Sequence, residues 1–139
     1  SLGHRRIALI QRETLSPHGH LRGLGCREML EESGIPLDPA LVIVGKAGQA
    51  AGYAAMQQWL ALPNPPTAVF AHNDMLAVGA MRAVFDAGLV VPDDISVVGH
   101  DDTTIIACFE STDKEVYYRF ISVKVNEDPG YVQDSFFFI

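Results

Sequence analysis

The sequence predicts an α/β domain: a doubly wound, mainly parallel sheet of the Rossmann-like or flavodoxin-like kind, followed by a C-terminal β-hairpin extension. Three observations predict it. Four short apolar runs are continuous rather than alternating, as strands covered on both faces require. Stretches with helical spacing lie between them and stop at glycine or proline. Strand–helix alternation at this spacing implies right-handed crossovers and parallel pairing.

Arg6-Ile7-Ala8-Leu9-Ile10 is the first run. Leu21, Leu24 and Met29-Leu30 then repeat at helical spacing until Gly34-Ile35-Pro36 ends the pattern. Leu41-Val42-Ile43-Val44 is the second run, and Ala50, Tyr53-Ala54, Gln57 and Leu60 mark the helix after it, closed by Leu62-Pro63-Asn64-Pro65-Pro66. The third run is Thr67-Ala68-Val69-Phe70-Ala71. Its helix carries Met75-Leu76, Val78-Gly79, Arg82-Ala83 and Val84-Phe85 and ends at Ala87-Gly88. Ile95-Ser96-Val97-Val98-Gly99 is the fourth run.

Residues 111–139 are different. They hold no Ala and no Leu, but seven aromatics: Tyr117, Tyr118, Phe120, Tyr131, Phe136, Phe137 and Phe138. Two β-rich stretches, Glu115 to Val125 and Tyr131 to Ile139, flank Asn126-Glu127-Asp128-Pro129-Gly130, in which Pro fixes φ and Gly supplies φ > 0. The expected organisation is a body over residues 1–110 and an aromatic-rich hairpin tail over 111–139.

Composition narrows the function. A chain of 139 residues with 48% hydrophobic content fits one domain and is too apolar to be disordered. Its 17 acidic and 10 basic side chains give a formal charge of −7, the wrong sign for a surface that wraps nucleic acid. No apolar run reaches the ~20 residues of a membrane span, and the apolar stretch after Arg5-Arg6 is too short for a signal peptide. Cys26 and Cys108 lie far apart without a partner pattern, as thiols of a reduced compartment do. The expectation is a cytoplasmic protein with no membrane partner.

In open α/β sheets ligands bind beyond the carboxyl ends of the strands. Four segments follow the four runs: Gln11 to His18 leading into Arg22, Gly45-Lys46-Ala47-Gly48-Gln49, His72-Asn73-Asp74, and His100-Asp101-Asp102-Thr103. Asn73 or Asp74 suits a helix N-cap, and the other is left for the cleft. Amides and carboxylates at such a rim suit polyhydroxyl ligands. The plainer readings are a solvated loop for Asp101-Asp102 and surface charge for Arg22. His72, His100, Asp74 and Asp101 are metal-ligand types at non-ligand spacing, so no metal is expected. Neither a dinucleotide fingerprint nor a P-loop nor a nucleophile elbow occurs, and no cofactor is expected. An enzyme using Asp101 with His72 or His100 as general base is the weaker alternative to a binding module.

At these residues the chain resembles the lactose-repressor/galactose-repressor (LacI/GalR-type) family of bacterial transcription regulators. The resemblance runs through Leu2-Gly3-His4-Arg5-Arg6-Ile7-Ala8-Leu9-Ile10, Arg22-x-x-Gly25, Ala71-His72-Asn73-Asp74-Met75-Leu76-Ala77-Val78-Gly79-Ala80-Met81-Arg82-Ala83 and the stretch from Gly88 to Thr103. It implies the second lobe of a two-lobed effector-binding core like that of periplasmic sugar-binding proteins. The family's helix-turn-helix head, hinge and first lobe have no counterpart here. By position, Arg22, Asn73 and Asp101 match effector-contacting residues, His18 matches a further cleft-lining position, and Ala47 stands where some sugar-binding members carry a stacking aromatic. Val78, Cys108 and Phe109 match positions used in subunit pairing. Two departures stand out: Gln11-Arg12 replaces the usual Gly-Pro, and Glu110-Ser111-Thr112-Asp113 replaces the segment that crosses to the other lobe.

The resemblance therefore implies a lobe for a small-molecule effector, a sugar or a nucleobase, without catalysis and without DNA binding of its own. The alternative is a truncated or chimeric structural fragment without ligand function, whose tail completes the sheet. Three consecutive phenylalanines in the tail predict a homo-oligomer.

Overall fold

The computed structural model describes residues 3–13, 17–100, 106–110 and 115–119. Its elements run β1 (Ile7–Arg12), α1 (Pro17–Glu32), a short 3-10 turn (Pro39–Leu41), β2 (Val42–Gly45), α2 (Gln49–Leu60), β3 (Ala68–Ala71), α3 (Asp74–Asp86), β4 (Ser96–Val98), β5 (Ile106–Glu110) and β6 (Glu115–Arg119). The first four strands form one parallel sheet in the order β2-β1-β3-β4. β1 is central, with Ile10 beside Ile43 on one side and Ala71 on the other. The expected parallel α/β architecture is present, with strand ends shifted by one or two residues.

Side-chain alternation gives the sheet two unlike faces. Ala8 and Ile10 of β1 join the main core with Trp59 and Met56 of α2, Leu76 and Val84 of α3, Val69 of β3 and Val97 of β4. Two glycines allow α2 and α3 to pack backbone against backbone. A Cβ at Gly52 would fall on the Leu76 carbonyl, and one at Gly79 on the Gln49 carbonyl, far inside van der Waals contact. The one polar group of Trp59 is satisfied there, Nε1 donating to the Ala40 carbonyl at 3.0 Å. α3 ends at Gly88 with φ +76°, where Gly88 N–H donates to Phe85 O at 2.8 Å and Leu89 N–H to Val84 O at 3.1 Å.

α1 lies on the other face, and its inward stripe is not the expected one. Leu21, Leu24 and Met29 carry the helical spacing but are 58%, 41% and 59% exposed. Among the described side chains of α1 the buried positions are Gly19, Gly23 and Leu30, with Cys26 half-buried between them. A stripe of small residues has no hydropathy signal, so the apolar repeat reports the outer face. Gly23 is needed because the Gln11 side chain occupies the place a Cβ would take.

An antiparallel strand pair lies at the C-terminal end of the described residues. A strand does begin at Glu115, but β6 pairs with β5, matching Cys108 to Tyr117 and Phe109 to Val116. Four polar residues, Ser111 to Lys114, separate the two strands, a hairpin-length connection closer than the Pro-Gly turn. The pair straddles residue 110, and the expected turn over 126–130 and strand over 131–139 lie outside the described residues.

Candidate functional site at the carboxyl rim

The parallel strands deliver their carboxyl ends to one rim, and main-chain hydrogen bonds hold the exits together. Asn73 follows β3 with φ −150° and ψ 170°, an extended conformation that turns its side chain onto the next helix. Its Oδ1 accepts the Leu76 N–H at 3.0 Å and caps α3. Between Asn73 and Asp74, Asn73 is therefore the cap. Asp74 is 6% exposed, and its N–H donates to the His100 carbonyl at 3.1 Å, tying α3 to the β4 exit. Gly99 makes that approach possible, since a Cβ there would lie 2.7 Å from Asp74 Oδ1 and 3.0 Å from Ala77 Cβ.

Arg22, one turn into α1, reaches the same place. Its Nη1 donates to the His72 carbonyl at 3.2 Å, beside Asn73. Two residues 51 positions apart in sequence, on different elements, thus converge on one peptide. His72 is 4% exposed, and its bonds include three that tie the rim together. Its N–H donates to Ile10 O at 2.9 Å, its carbonyl accepts Arg22, and its ring Nδ1 accepts the Arg12 N–H at 3.2 Å. The residue after β1 pairs the other way, Glu13 N–H donating to Gly45 O at 2.8 Å. At the β2 exit Ala47 is exposed beside Gly48, the N-cap of α2. On the α1 side of the rim, a cavity of about 330 Å³ is lined by residues including Gln11, Arg12, His20, Arg27 and Val44. Arg27 Nη2 donates to Gln11 Oε1 at 2.9 Å across its floor.

The structure thus brings Arg22 and Asn73 together and leaves Ala47 on the neighbouring loop. Asp101 and the side chain of His18 lie outside the described residues. Val78 is 4% exposed and belongs to the main core, while Cys108 and Phe109 fall on β5, where their side chains are not described. Among the described residues no group of three His, Cys, Asp or Glu side chains is placed to hold a metal ion. No described helix is long and apolar enough to cross a membrane. Burial pushes the Cys26 thiol above its ordinary value, which Arg27 only partly offsets, so it is a poor nucleophile at neutral pH. Sequence reasoning missed the triple role of His72 and the close approach at Gly99. The signals were a histidine placed directly between a buried strand and its helix cap, and a glycine directly after a strand.

Comparisons with known proteins bear on the family and the fold. Residues 1–112 match the periplasmic binding protein-like domain family. The chain is 45% identical over 100 residues to a probable helix-turn-helix-type transcriptional repressor, ExuR, of Bacillus subtilis (strain 168), covering 72% of this chain and 30% of that protein. Among solved structures it is similar to the transcriptional regulator CelR in complex with cellobiose, with TM-score 0.67 and 39% identity over 73% of this chain and 31% of that one. It is likewise similar to the lac repressor dimer bound to operator and the anti-inducer ONPF, with TM-score 0.66 and 37% identity over 73% of this chain and 35% of that one. The chain spans about a third of the length of these proteins. Over residues 1–112 it belongs to the periplasmic binding protein-like domain family, in the effector-binding region of LacI/GalR-type transcription regulators.

Proposed function

We propose that this chain is one wall of a small-molecule effector cleft: the second lobe of the core of a LacI/GalR-type regulator, whose ligand is sugar-like. The observation that carries the reading is the convergence of Arg22 and Asn73 on the His72 peptide at the strand rim. With Oδ1 of Asn73 committed to the cap, its amide NH₂ and the Arg22 guanidinium supply donors to ligand hydroxyls, and Asp101 supplies the acceptor. His18 and Ala47 line the same cleft, the small Ala47 leaving the sugar face without an aromatic stack. The CelR relative, solved with cellobiose, supports a sugar.

The lobe performs no chemistry, acts in the cytoplasm and does not bind DNA by itself. In a full regulator, ligand would shift the population of lobe closures and so the spacing of DNA-reading heads. Copies of the chain associate through β5 and the tail, with Cys108, Phe109 and Val78 near that contact; the dimeric lac repressor supports self-association.

A single wall makes about half of a closed cleft's hydrogen bonds and excludes little water, so dissociation constants on the order of millimolar are expected. The test is an NMR titration of the isotope-labelled chain with monosaccharides, cellobiose and purine bases. Shifts at Arg22, Asn73 and Asp101 are expected, and their absence for all probes at ~100 mM overturns the effector reading. Micromolar binding by calorimetry would overturn the one-wall argument. Sequence-dependent retention in a gel shift at ~150 mM salt would overturn the absence of DNA binding.

A further inference from the structure

We propose that His72 is a proton-sensitive positioning residue of this rim, holding it ligand-ready only while its imidazole is neutral. The inference rests on the effector reading for its consequence, but its geometry stands apart from it. Nδ1 of His72 accepts the Arg12 N–H, so the lone pair of the neutral ring is at Nδ1 and the ring proton at Nε2. The same residue offers its carbonyl to Arg22 and its N–H to Ile10. One buried side chain thereby fixes the β1 exit, while its own peptide fixes the Arg22 guanidinium beside Asn73.

The donor in this clasp exists because position 12 is not proline. Arg12 has an N–H, and that N–H points to β3 rather than β2, because the β1–β2 ladder continues through Glu13 N–H to Gly45 O. Protonation would place a second N–H at Nδ1 facing the Arg12 N–H. Donor would meet donor in a site 4% exposed, where water cannot readily replace the lost bond. The cheapest relief is outward movement of Arg12 and Glu13, which are exposed and end β1. Among the described residues, the charged and titratable groups at these exits include Arg12 and Glu13 after β1, Arg22 on α1, Asp74 on α3 and His100 after β4, with His20 and Arg27 of α1 beside the rim cavity. The bond is present above the ring's titration and lost below it.

The test uses the ligand-free chain. Ring ¹⁵N shifts of His72 are followed against pH together with hydrogen exchange of the Arg12 amide, corrected for the intrinsic pH dependence of exchange. The expected result is an Nε2–H tautomer and an Arg12 amide about tenfold protected, a fold-change that a buried hydrogen bond of ordinary net strength supports, with protection lost at the ring's own midpoint. His72→Asn, whose Oδ1 can take the place of Nδ1, should keep the protection and lose its pH dependence; His72→Leu should lose the protection at every pH. An Nδ1–H tautomer, Arg12 protection unchanged through the ring's titration, or an Asn variant that follows the wild-type profile would each overturn the proposal. If the Leu variant does not fold, the wild-type profile still decides. Any cellobiose shifts at Arg22 and Asn73 should weaken about tenfold below the midpoint in wild type and not in His72→Asn. Their absence at every pH removes the effector reading and leaves the clasp standing.

Discussion

The two faces of the sheet are built on opposite principles. Under α2 and α3, large side chains such as Trp59, Met56, Leu76 and Val84 are at most 1% exposed, and the helices touch through Gly52 and Gly79. Under α1 the inward stripe is small, Val44 is 60% exposed, and the outward Leu21, Leu24 and Met29 face solvent. Parallel sheets are usually covered on both faces; among the described residues one face is finished and the other is thinly covered. The rim joins them, since Arg22 reaches from the thin side to the His72 carbonyl at the end of β3. A ligand contact at Arg22 would therefore bear on the less restrained half of the lobe.

Glycine substitutions break this comparison most directly. At Gly79 a Cβ meets the backbone of α2, which cannot move without separating the helices, so Gly79→Ala should lose about 2–3 kcal/mol by chemical denaturation. Gly52→Ala should behave alike, since its obstacle is the Leu76 carbonyl. At Gly23 the obstacle is the Gln11 side chain, which can swing away, and alanine gains about 0.8–1 kcal/mol of helix propensity over glycine. Gly23→Ala should be within about 1 kcal/mol of wild type. Equal losses at positions 23 and 79 would show that the two faces are packed alike.

The second expected effect concerns the tail. Deleting residues 111–139 removes β6 and leaves β5 without its antiparallel partner, and it also removes most of the chain's aromatic side chains. A bare strand edge seeks another strand. We expect a change of mass by light scattering, or precipitation, whereas Leu24→Ser with Met29→Ser on the exposed side of α1 should leave the mass unchanged. A truncated chain that stays folded, soluble and unchanged in mass would place self-association elsewhere, and a mass change in the α1 variant would move it to the thin face.

How legible this was in the sequence depended on what each signal reports. The parallel order and α3 were legible because continuous apolar runs and an Asn-Asp cap follow from burial and unsatisfied amides. The inward face of α1 was not, since glycines at positions 19 and 23 have no hydropathy to read and Leu21 and Met29 point the wrong way. The pairing of β6 with β5 was not legible, because Pro129-Gly130 is a stronger local turn signal than Ser111 to Lys114, although β5 lies closer in sequence to β6. Arg22 and Asn73 were named through family resemblance, and their convergence on the His72 peptide is a long-range fact no local pattern carries. His72 shows the same limit: its ring bond needs an N–H 60 residues away.

The smallest expected effect lies at the opposite end of the sheet from the rim and tests whether the entry to the strands is held by charge. Arg6 Nη1 meets Asp38 Oδ2 at 3.0 Å, and Asp38 Oδ1 accepts the Ala40 N–H at 2.9 Å at the start of the 3-10 turn. The Ala40 N–H, foremost, and then the Arg6 bond hold the Asp38 carboxyl below its usual range. A carboxyl depressed in the folded state stabilises above its unfolded value, and the gain is lost as pH falls through its folded value. Asp38→Asn keeps an oxygen for the cap but loses the charge. Wild type should therefore melt slightly above Asp38→Asn at neutral pH, the gap should narrow with added salt, and it should close on acidification below about pH 4, the ordinary carboxylate range. A gap constant from neutral to acid pH would mean that the cap geometry, not the ion pair with Arg6, holds this end of the sheet.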